Sequence, residues 1–478
     1  MRKRAVLLSI LLLGIVIRLA HTLTDHYLVI GGDSYYFLHL AESIQENTDP
    51  LFSIKPGISP LVGYLAKLTG LDVAVIIVPL TLYIITALIL YFGIRRIYGP
   101  FSALGTVFVF SMIPHSYWIT GAGHLDRDGL CVMLITILGV GLLTVPGKKW
   151  VAGIIGSVVL SFSLLWSWVG VIISFLIIAI ILTLKTVNNW SGFVIHLLYW
   201  TACFGILMLI YPVSGLWDIA AHNRYEIPVG EAHGLTFIDA CLFWHPVLWF
   251  AIACGLWVLF KRRNRADIIF ITWLLIFLIP SFWVKRVIIF ALPPLSIIGG
   301  VGCLYIFNAF MLLYRRIPAR TVIVCGLLVL TAVYGSLWYN AYNQGTIDRL
   351  SVNREWQDAY IWIEENVPDN SRILCYPDRG YFLLGMTGRE PVYYANPNLG
   401  ADTLSRIYYT DDAGEVYRLI KETGADYFIY SMDDKEGQIS KELSRYWTGE
   451  TDPESPVIFN RGKLVPVYDR DNIIIIEG

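Results

Sequence analysis

The sequence predicts a polytopic α-helical membrane domain followed by a polar, extracytoplasmic domain of mixed α/β type. Three observations lead there. Hydrophobic residues make up 56% of the 478 residues, with a mean hydropathy of +0.60, whereas an ordinary soluble chain is roughly half apolar. Charge is distributed unevenly behind a net value of −1: residues 1–340 carry 22 Lys+Arg and 13 Asp+Glu, and residues 341–478 carry 14 and 24. Finally, the basic residues of the first part fall in clusters separated by long apolar stretches. These place the domain boundary at 340/341.

A helix that crosses ~30 Å of hydrocarbon needs ~20 mostly apolar residues, and about eleven stretches qualify. They begin near residues 4, 72, 100, 128, 150, 169, 191, 242, 267, 287 and 319. The first follows "MRKR" but lacks a small-residue cleavage site before "HTLTDHYLVI", so it reads as a retained span rather than a signal peptide. Orientation follows from the basic clusters "MRKR", "RRIYG", "PGKKW", "KRRNR" and "YRRIPAR". With a cytoplasmic N-terminus and one crossing per stretch, all five fall on the cytoplasmic side, as positive-inside topology requires. The odd number of spans then puts the C-terminal domain outside. Of the 13 carboxylates in residues 1–340, only Asp267 falls on the inner side. The expected location is a multi-pass cell membrane protein.

Three acidic features meet the outer face in this topology. They are Asp33 in "GGDSYYFLHL", Asp126 and Asp128 in "GHLDRDGL", and Glu231 in "RYEIPVGEAHGLTF". An ionisable group costs about 2.5–3.5 kcal/mol at the centre of a membrane helix and less towards the interface, so it has a partner or a purpose. Two carboxylates separated by one residue both reach a hard cation, and an oxygen-only ligand set suits Mg²⁺ or Mn²⁺. The plainer alternatives are a solvated loop or a helix cap, with Asp128 capping a span that starts at Gly129. A turn after "GG" and a solvated loop charge are the corresponding alternatives for Asp33 and Glu231.

In the polar domain, helical periodicity runs over about 353–366, 402–423 and 435–447. The runs "RILCYP", "EPVYYA", "DYFIYS", "PVIFN", "KLVPVY" and "NIIIIEG" read as strands, the last of them hairpin-rich. Cys375 is the only cysteine there, in a strand, and the seven cysteines overall are too scattered for a disulfide framework.

The series of motifs resembles the catalytic subunit of oligosaccharyltransferase, a multispanning enzyme of N-linked protein glycosylation. "GGDSYYFLHL" resembles that family's first external-loop motif, and "ITGAGHLDRDGL" its acidic segment between spans three and four. "PVGEAHGLTF" resembles its loop of small residues ending in Glu. "SFWVKRVIIFALPP" resembles its late span that opens with a basic residue. The block from "EWQDAYIWIEENVPDN" through "SRILCYPDRGYFLLGMTGREPVYYANPN" resembles its external domain. Nearly the whole chain is covered, in the family's order.

The resemblance implies a GT-C glycosyltransferase that moves a glycan from a polyprenyl (dolichyl-type) phosphate or diphosphate to Asn in Asn-x-Ser/Thr. Its partners would be the lipid-linked donor, an acceptor polypeptide and the membrane, with no nucleic acid and with the chain acting as a single subunit. Asp33 and Glu231 match the positions that hydrogen-bond the acceptor amide. Asp33, Asp126, Asp128 and Glu231 are the implied ligands of Mn²⁺ or Mg²⁺. Lys285 and Arg286, which break the positive-inside pattern, are suited to the lipid phosphate, Arg286 better for bidentate contact. Snorkelling to lipid headgroups is the alternative for Lys285.

Two departures stand against the family pattern. Its signature pentapeptide is Trp-Trp-Asp-Tyr-Gly, which reads the acceptor hydroxyl. Here it is Tyr376-Pro377-Asp378-Arg379-Gly380, so Asp378 keeps the acceptor oxygen and Tyr376 an aromatic edge, without an indole N–H. The family also usually has thirteen spans. A related polyprenyl-phosphate-dependent enzyme with a lipid, glycan or non-sequon protein acceptor is therefore the alternative. A transporter is not expected, because no internal repeat is present and the acids sit at span ends. The chain's own sequon, Asn189-Trp190-Ser191, falls on the cytoplasmic side.

Overall fold

The computed structural model describes residues 2–24, 32–46, 58–125, 127–144, 246–282, 285–314, 354–393, 403–404, 406–407, 412–431, 466–470 and 473–477. Two compact units emerge, one from Met1–Val29, Ile44–Leu216 and Glu231–Gly345, the other from Ile30–Ser43, Trp217–Gly230 and Thr346–Gly478.

Apolar helices make up the first unit: α1 (Arg2–Thr24), then, after α2 (Gly32–Gln45), which belongs to the second unit over its first three turns, α3 (Ser59–Thr69), α4 (Leu71–Tyr98), α5 (Pro100–Met112), α6 (Pro114–Ile119), α7 (Asp128–Thr144), α8 (Pro246–Arg262), α9 (Arg265–Ser281) and α10 (Leu292–Tyr314). A 3-10 helix, Lys285–Ala291, leads into α10. Leu71–Tyr98 and Ile288–Leu312 are long and apolar enough to cross a bilayer. The spans expected near 150, 169, 191 and 319 lie outside the described residues.

The span expected from residue 100 differs from a single helix. It breaks at Ile113, which is extended (φ −65°, ψ 121°), before Pro114 restarts the chain as α6. The proline ring disfavours helical geometry at the residue before it and removes a backbone donor, while fitting well at the first turn of a new helix. This break ends α5 early and starts the short α6 that leads towards the acidic turn.

Small residues set the helix packing, as in membrane bundles generally. A Cβ on Gly105 of α5 would lie 2.7 Å from the carbonyl of Gly300 on α10, and one on Gly302 would meet the Ala251 carbonyl of α8. Asp267, expected on the inner side, has partners of its own. Asp267 is fully buried in a capping box with Asn264 and accepts hydrogen bonds from Arg262 and from the Tyr98 hydroxyl (2.7 Å).

Among the described residues the second unit holds a five-stranded sheet in the order β2-β1-β3-β5-β4. The strands are β1 (Arg372–Leu374), β2 (Glu390–Pro391), β3 (Tyr427–Ser431), β4 (Pro466–Arg470) and β5 (Ile473–Glu477). β1 runs parallel to β2 and β3, whereas β5 is antiparallel to β3 and β4. Alternate side chains of a strand point to opposite faces. Accordingly Ile474 and Ile476 join Phe428, Tyr430 and helix α13 (Ala413–Glu422) on one face. Ile473 and Ile475 join Ile429, α11 (Arg354–Asn366) and α12 (Pro377–Thr387) on the other. The sheet is thus covered on both sides, which explains the unbroken run of four isoleucines. Cys375 is buried just beyond β1. The helix expected over 435–447 and the strand "PVIFN" lie outside the described residues.

Gly388 closes α12 in the left-handed conformation (φ 67°), which glycine adopts without a Cβ penalty. Arg389 follows, almost wholly buried, and donates to the carbonyls of Glu364, Val367 and Thr387. It caps the exposed carbonyl end of α11 and ties it to the end of α12.

Candidate functional site

The segment leading into the acidic turn is held by its own hydrogen bonds. Between α6 and α7, the Gly121 N–H bonds the Trp118 carbonyl (3.1 Å), Ala122 bonds the Arg18 carbonyl (3.1 Å) and Gly123 bonds the Val75 carbonyl of α4 (3.3 Å). Gly123 has φ 82°, the left-handed region that favours glycine. Ala122, His124 and Leu125 are buried. The Trp118 ring lies between His115 (centroids 5.7 Å apart) and His124 (4.6 Å). A side chain on Gly129 would come 2.7 Å from the Ile119 carbonyl, so α7 starts in direct contact with the end of α6.

Asp128 is the first residue of α7 and only 6% exposed. The expectation that it caps a helix starting at Gly129 is therefore off by one residue. It lies inside the first turn. Asp126, two residues before it, and Glu231 lie outside the described residues.

Lys285 and Arg286 open the 3-10 helix, which packs against α9, α10 and α7. The basic pair and Asp128 therefore belong to contacting elements of one unit. The hydrophobic half of this 3-10 helix, Ile288 to Ala291, is buried and anchors it.

Asp33 is the second residue of α2. Within the second unit, α2 crosses α12. The Tyr35 and Phe382 rings are 5.2 Å apart, and Tyr36 meets Tyr381 edge-on at 5.7 Å. A Cβ on Gly385 would lie 2.6 Å from Tyr35 Cβ and 2.7 Å from its carbonyl oxygen. The crossing thus brings the helix of Asp33 onto the helix of the pentapeptide. Tyr376 is the N-cap of α12, Pro377 its first residue and Asp378 its second. Pro377 fits that place because its fixed φ suits a helix start and its missing N–H would have no helical partner. Arg379 lies over the Trp356 ring at 4.3 Å, so it braces α12 against α11.

Among the described residues no three His, Cys, Asp or Glu side chains converge as a metal-binding group. The carboxylate donors have the hard-oxygen chemistry that Mg²⁺ or Mn²⁺ requires, and Asp128 meets it with a side chain held in place by burial. Sequence reasoning missed Arg18, His115 and His124. A single arginine near the end of an apolar run reads as a snorkelling cation, and nothing in the linear pattern marks it as buried.

The sequence matches no protein-family model. It is 26% identical over 240 residues to dolichyl-phosphooligosaccharide-protein glycotransferase 2 of Pyrococcus furiosus, covering 48% of this chain and 29% of that one. The aligned region thus spans less than a third of that relative's length. Among solved structures, the archaeal oligosaccharyltransferase AglB of Archaeoglobus fulgidus, in complex with an inhibitory peptide and a dolichol-phosphate, superposes with TM-score 0.71. That match has 12% identity over 94% of this chain and 71% of that one. Other structures of the A. fulgidus enzyme hold zinc and sulfate, or a tethered acceptor peptide with an NVT sequon. ArnT of Cupriavidus metallidurans bound to undecaprenyl phosphate superposes with TM-score 0.60 and 12% identity, covering 99% of this chain and 97% of that one.

Proposed function

We propose that this chain, which has the GT-C fold of these membrane proteins, is an oligosaccharyltransferase. It moves a glycan from a polyprenyl (dolichyl-type) phosphate or diphosphate to the side-chain amide of Asn in Asn-x-Ser/Thr. The observation that carries this reading is the fold match to AglB over 94% of the chain, joined to sequence similarity with the Pyrococcus glycotransferase. The dolichol-phosphate, peptide and undecaprenyl phosphate of the neighbouring structures support a lipid-linked donor and a peptide acceptor. The zinc and sulfate of another support a divalent cation.

The residues divide the chemistry as follows. An amide nitrogen is a poor nucleophile because its lone pair is delocalised into the carbonyl. Asp33 and Glu231 accept its two N–H groups and draw it out of conjugation. Asp33, Asp126, Asp128 and Glu231 would hold Mn²⁺ or Mg²⁺, which when bound offsets charge developing on the leaving phosphate. Arg286 and Lys285 hold that phosphate. Asp378 accepts from the Ser/Thr hydroxyl of the acceptor, with Tyr376 beside it. The chain spans the membrane about eleven times, N-terminus in the cytoplasm. Residues 1–340 form the membrane domain, and residues 341–478 lie on the extracytoplasmic side.

The test is transfer by purified protein in detergent, with lipid-linked oligosaccharide from the source membrane, a fluorescent Asn-x-Thr peptide and Mn²⁺. EDTA and Asp126→Ala serve as controls. Glycopeptide that requires metal and disappears in the variant is the expected result. Metal-dependent donor consumption without glycopeptide would overturn the acceptor assignment, and an inert donor would overturn the reading as a whole.

A further inference from the structure

Arg18 has no solvent exposure and lies in the last two turns of α1. Its guanidinium serves several segments at once. Nε donates to Thr120 Oγ1 (2.7 Å), Nη2 to Ser116 Oγ (3.0 Å), and Nη1 to the carbonyls of Gly14 (3.1 Å) and Ser111 (3.4 Å). Its Cζ lies 3.7 Å from the centre of the Tyr83 ring, whose hydroxyl shares a hydrogen bond with Ser111 Oγ (2.7 Å). The Arg18 carbonyl also accepts the Ala122 N–H (3.1 Å). Side chain and main chain of one residue therefore fix both sides of Gly121, at the entry to the acidic turn.

All the acceptors are neutral, and among the described residues no carboxylate pairs with Arg18. A buried guanidinium is costly, and burial is tolerated only when its donors are well satisfied. A guanidinium has the same sign as a metal cation, so electrostatic attraction to the cation cannot be the reason for its place. Geometry can: the planar fork satisfies four acceptors, from α1, α5, α6 and the Thr120 that caps α6, which the single point of a lysine ammonium cannot.

We propose that Arg18 is a positioning residue for Asp128 as a candidate cation ligand, acting through Thr120 and Ala122 to hold the end of α6 against the start of α7. The inference rests on the metal-dependent reading above. It adds a residue from the first helix that touches neither donor nor acceptor.

The test measures Mn²⁺ binding directly, from loss of the free-ion electron paramagnetic resonance signal. It uses the full chain purified in detergent, with circular dichroism as the check on folding. Arg18→Lys keeps the charge and loses the fork. Thr120→Val removes one acceptor at constant shape, and Thr120→Ser returns it. Mn²⁺ affinity should fall about tenfold in Thr120→Val, the order found when partners behind metal ligands are removed. It should fall at least as far in Arg18→Lys and recover in Thr120→Ser. Transfer at saturating Mn²⁺ should change far less than the Mn²⁺ concentration needed for half-maximal rate. Wild-type Mn²⁺ affinity in Thr120→Val would overturn the role of Arg18 even if that variant melts earlier, and the threonine pair decides the matter should Arg18→Lys not fold. A wild-type chain that binds no Mn²⁺ would instead overturn the metal site itself.

Discussion

The acidic turn and the pentapeptide helix solve the same local problem by different means. Each places an aspartate in the first turn of a helix, Asp128 in α7 and Asp378 in α12. The first is held by polar contacts in an apolar unit: a buried arginine, two hydroxyls and backbone N–H groups bonded to carbonyls of α1 and α4. The second is held by volume, with rings on α2 and α12 packed around Gly385 and an arginine stacked on Trp356. In hydrocarbon-facing helices apolar burial gives little preference for one arrangement, so hydrogen bonds and close backbone approach provide the specificity. In the sheet-based unit the hydrophobic effect itself selects the arrangement. The first region should therefore be most sensitive to changes of polarity and the second to changes of size.

The largest effect expected is at Asp128. Asp128→Asn preserves shape and removes charge, and transfer rate should fall on the order of a hundredfold, as when one preorganised electrostatic group is lost. A thermal melt close to wild type would separate this from unfolding. Gly385→Val tests the size-sensitive region. Its side chain would strike the Tyr35 backbone, costing about 1–3 kcal/mol of overpacking, read as earlier thermal unfolding of the full chain. If Gly385→Val melts as wild type, the crossing of α2 on α12 is not the tight contact described.

Arg389→Ala comes next. It leaves the carbonyls of Glu364, Val367 and Thr387 without this donor, for a loss of about 2 kcal/mol, and should raise proteolysis around α11. The smallest effect is expected at Arg379→Leu, which keeps the stem over Trp356 and loses the charge. A partly exposed cation–π contact contributes about 0.5–1 kcal/mol, so the melting temperature should move by a degree or two at most. A drop as large as that of Arg389→Ala would mean that charge, and not packing, organises this region too.

Much of this was legible along the chain because the signals are local. The four isoleucines of "NIIIIEG" read as a strand, and β5 is that strand. Helices begin at Leu71, Pro100 and Asp128, within a residue of the expected starts, because glycine and proline punctuate the sequence there. The break at Ile113 was also written in the sequence, as Pro114, but hydropathy averaged over a window smooths it away. Asp267 stands out along the chain as a lone acid among basic residues, yet its burial and its capping box with Asn264 needed atomic geometry to be seen.

The sequence by itself determined the apolar and polar parts, the helix starts, the strands and the order of the acidic motifs, since each depends on side chains within a few residues of one another. Only the tertiary structure decided what surrounds those motifs. It buried Arg18 against Thr120 and Ser116, put the 3-10 helix of Lys285 and Arg286 against α7, and laid the helix of Asp33 across that of Asp378 at Gly385. The physical reason is that these contacts join residues far apart in the chain, and which of them form is chosen by shape, close backbone approach and the satisfaction of buried donors.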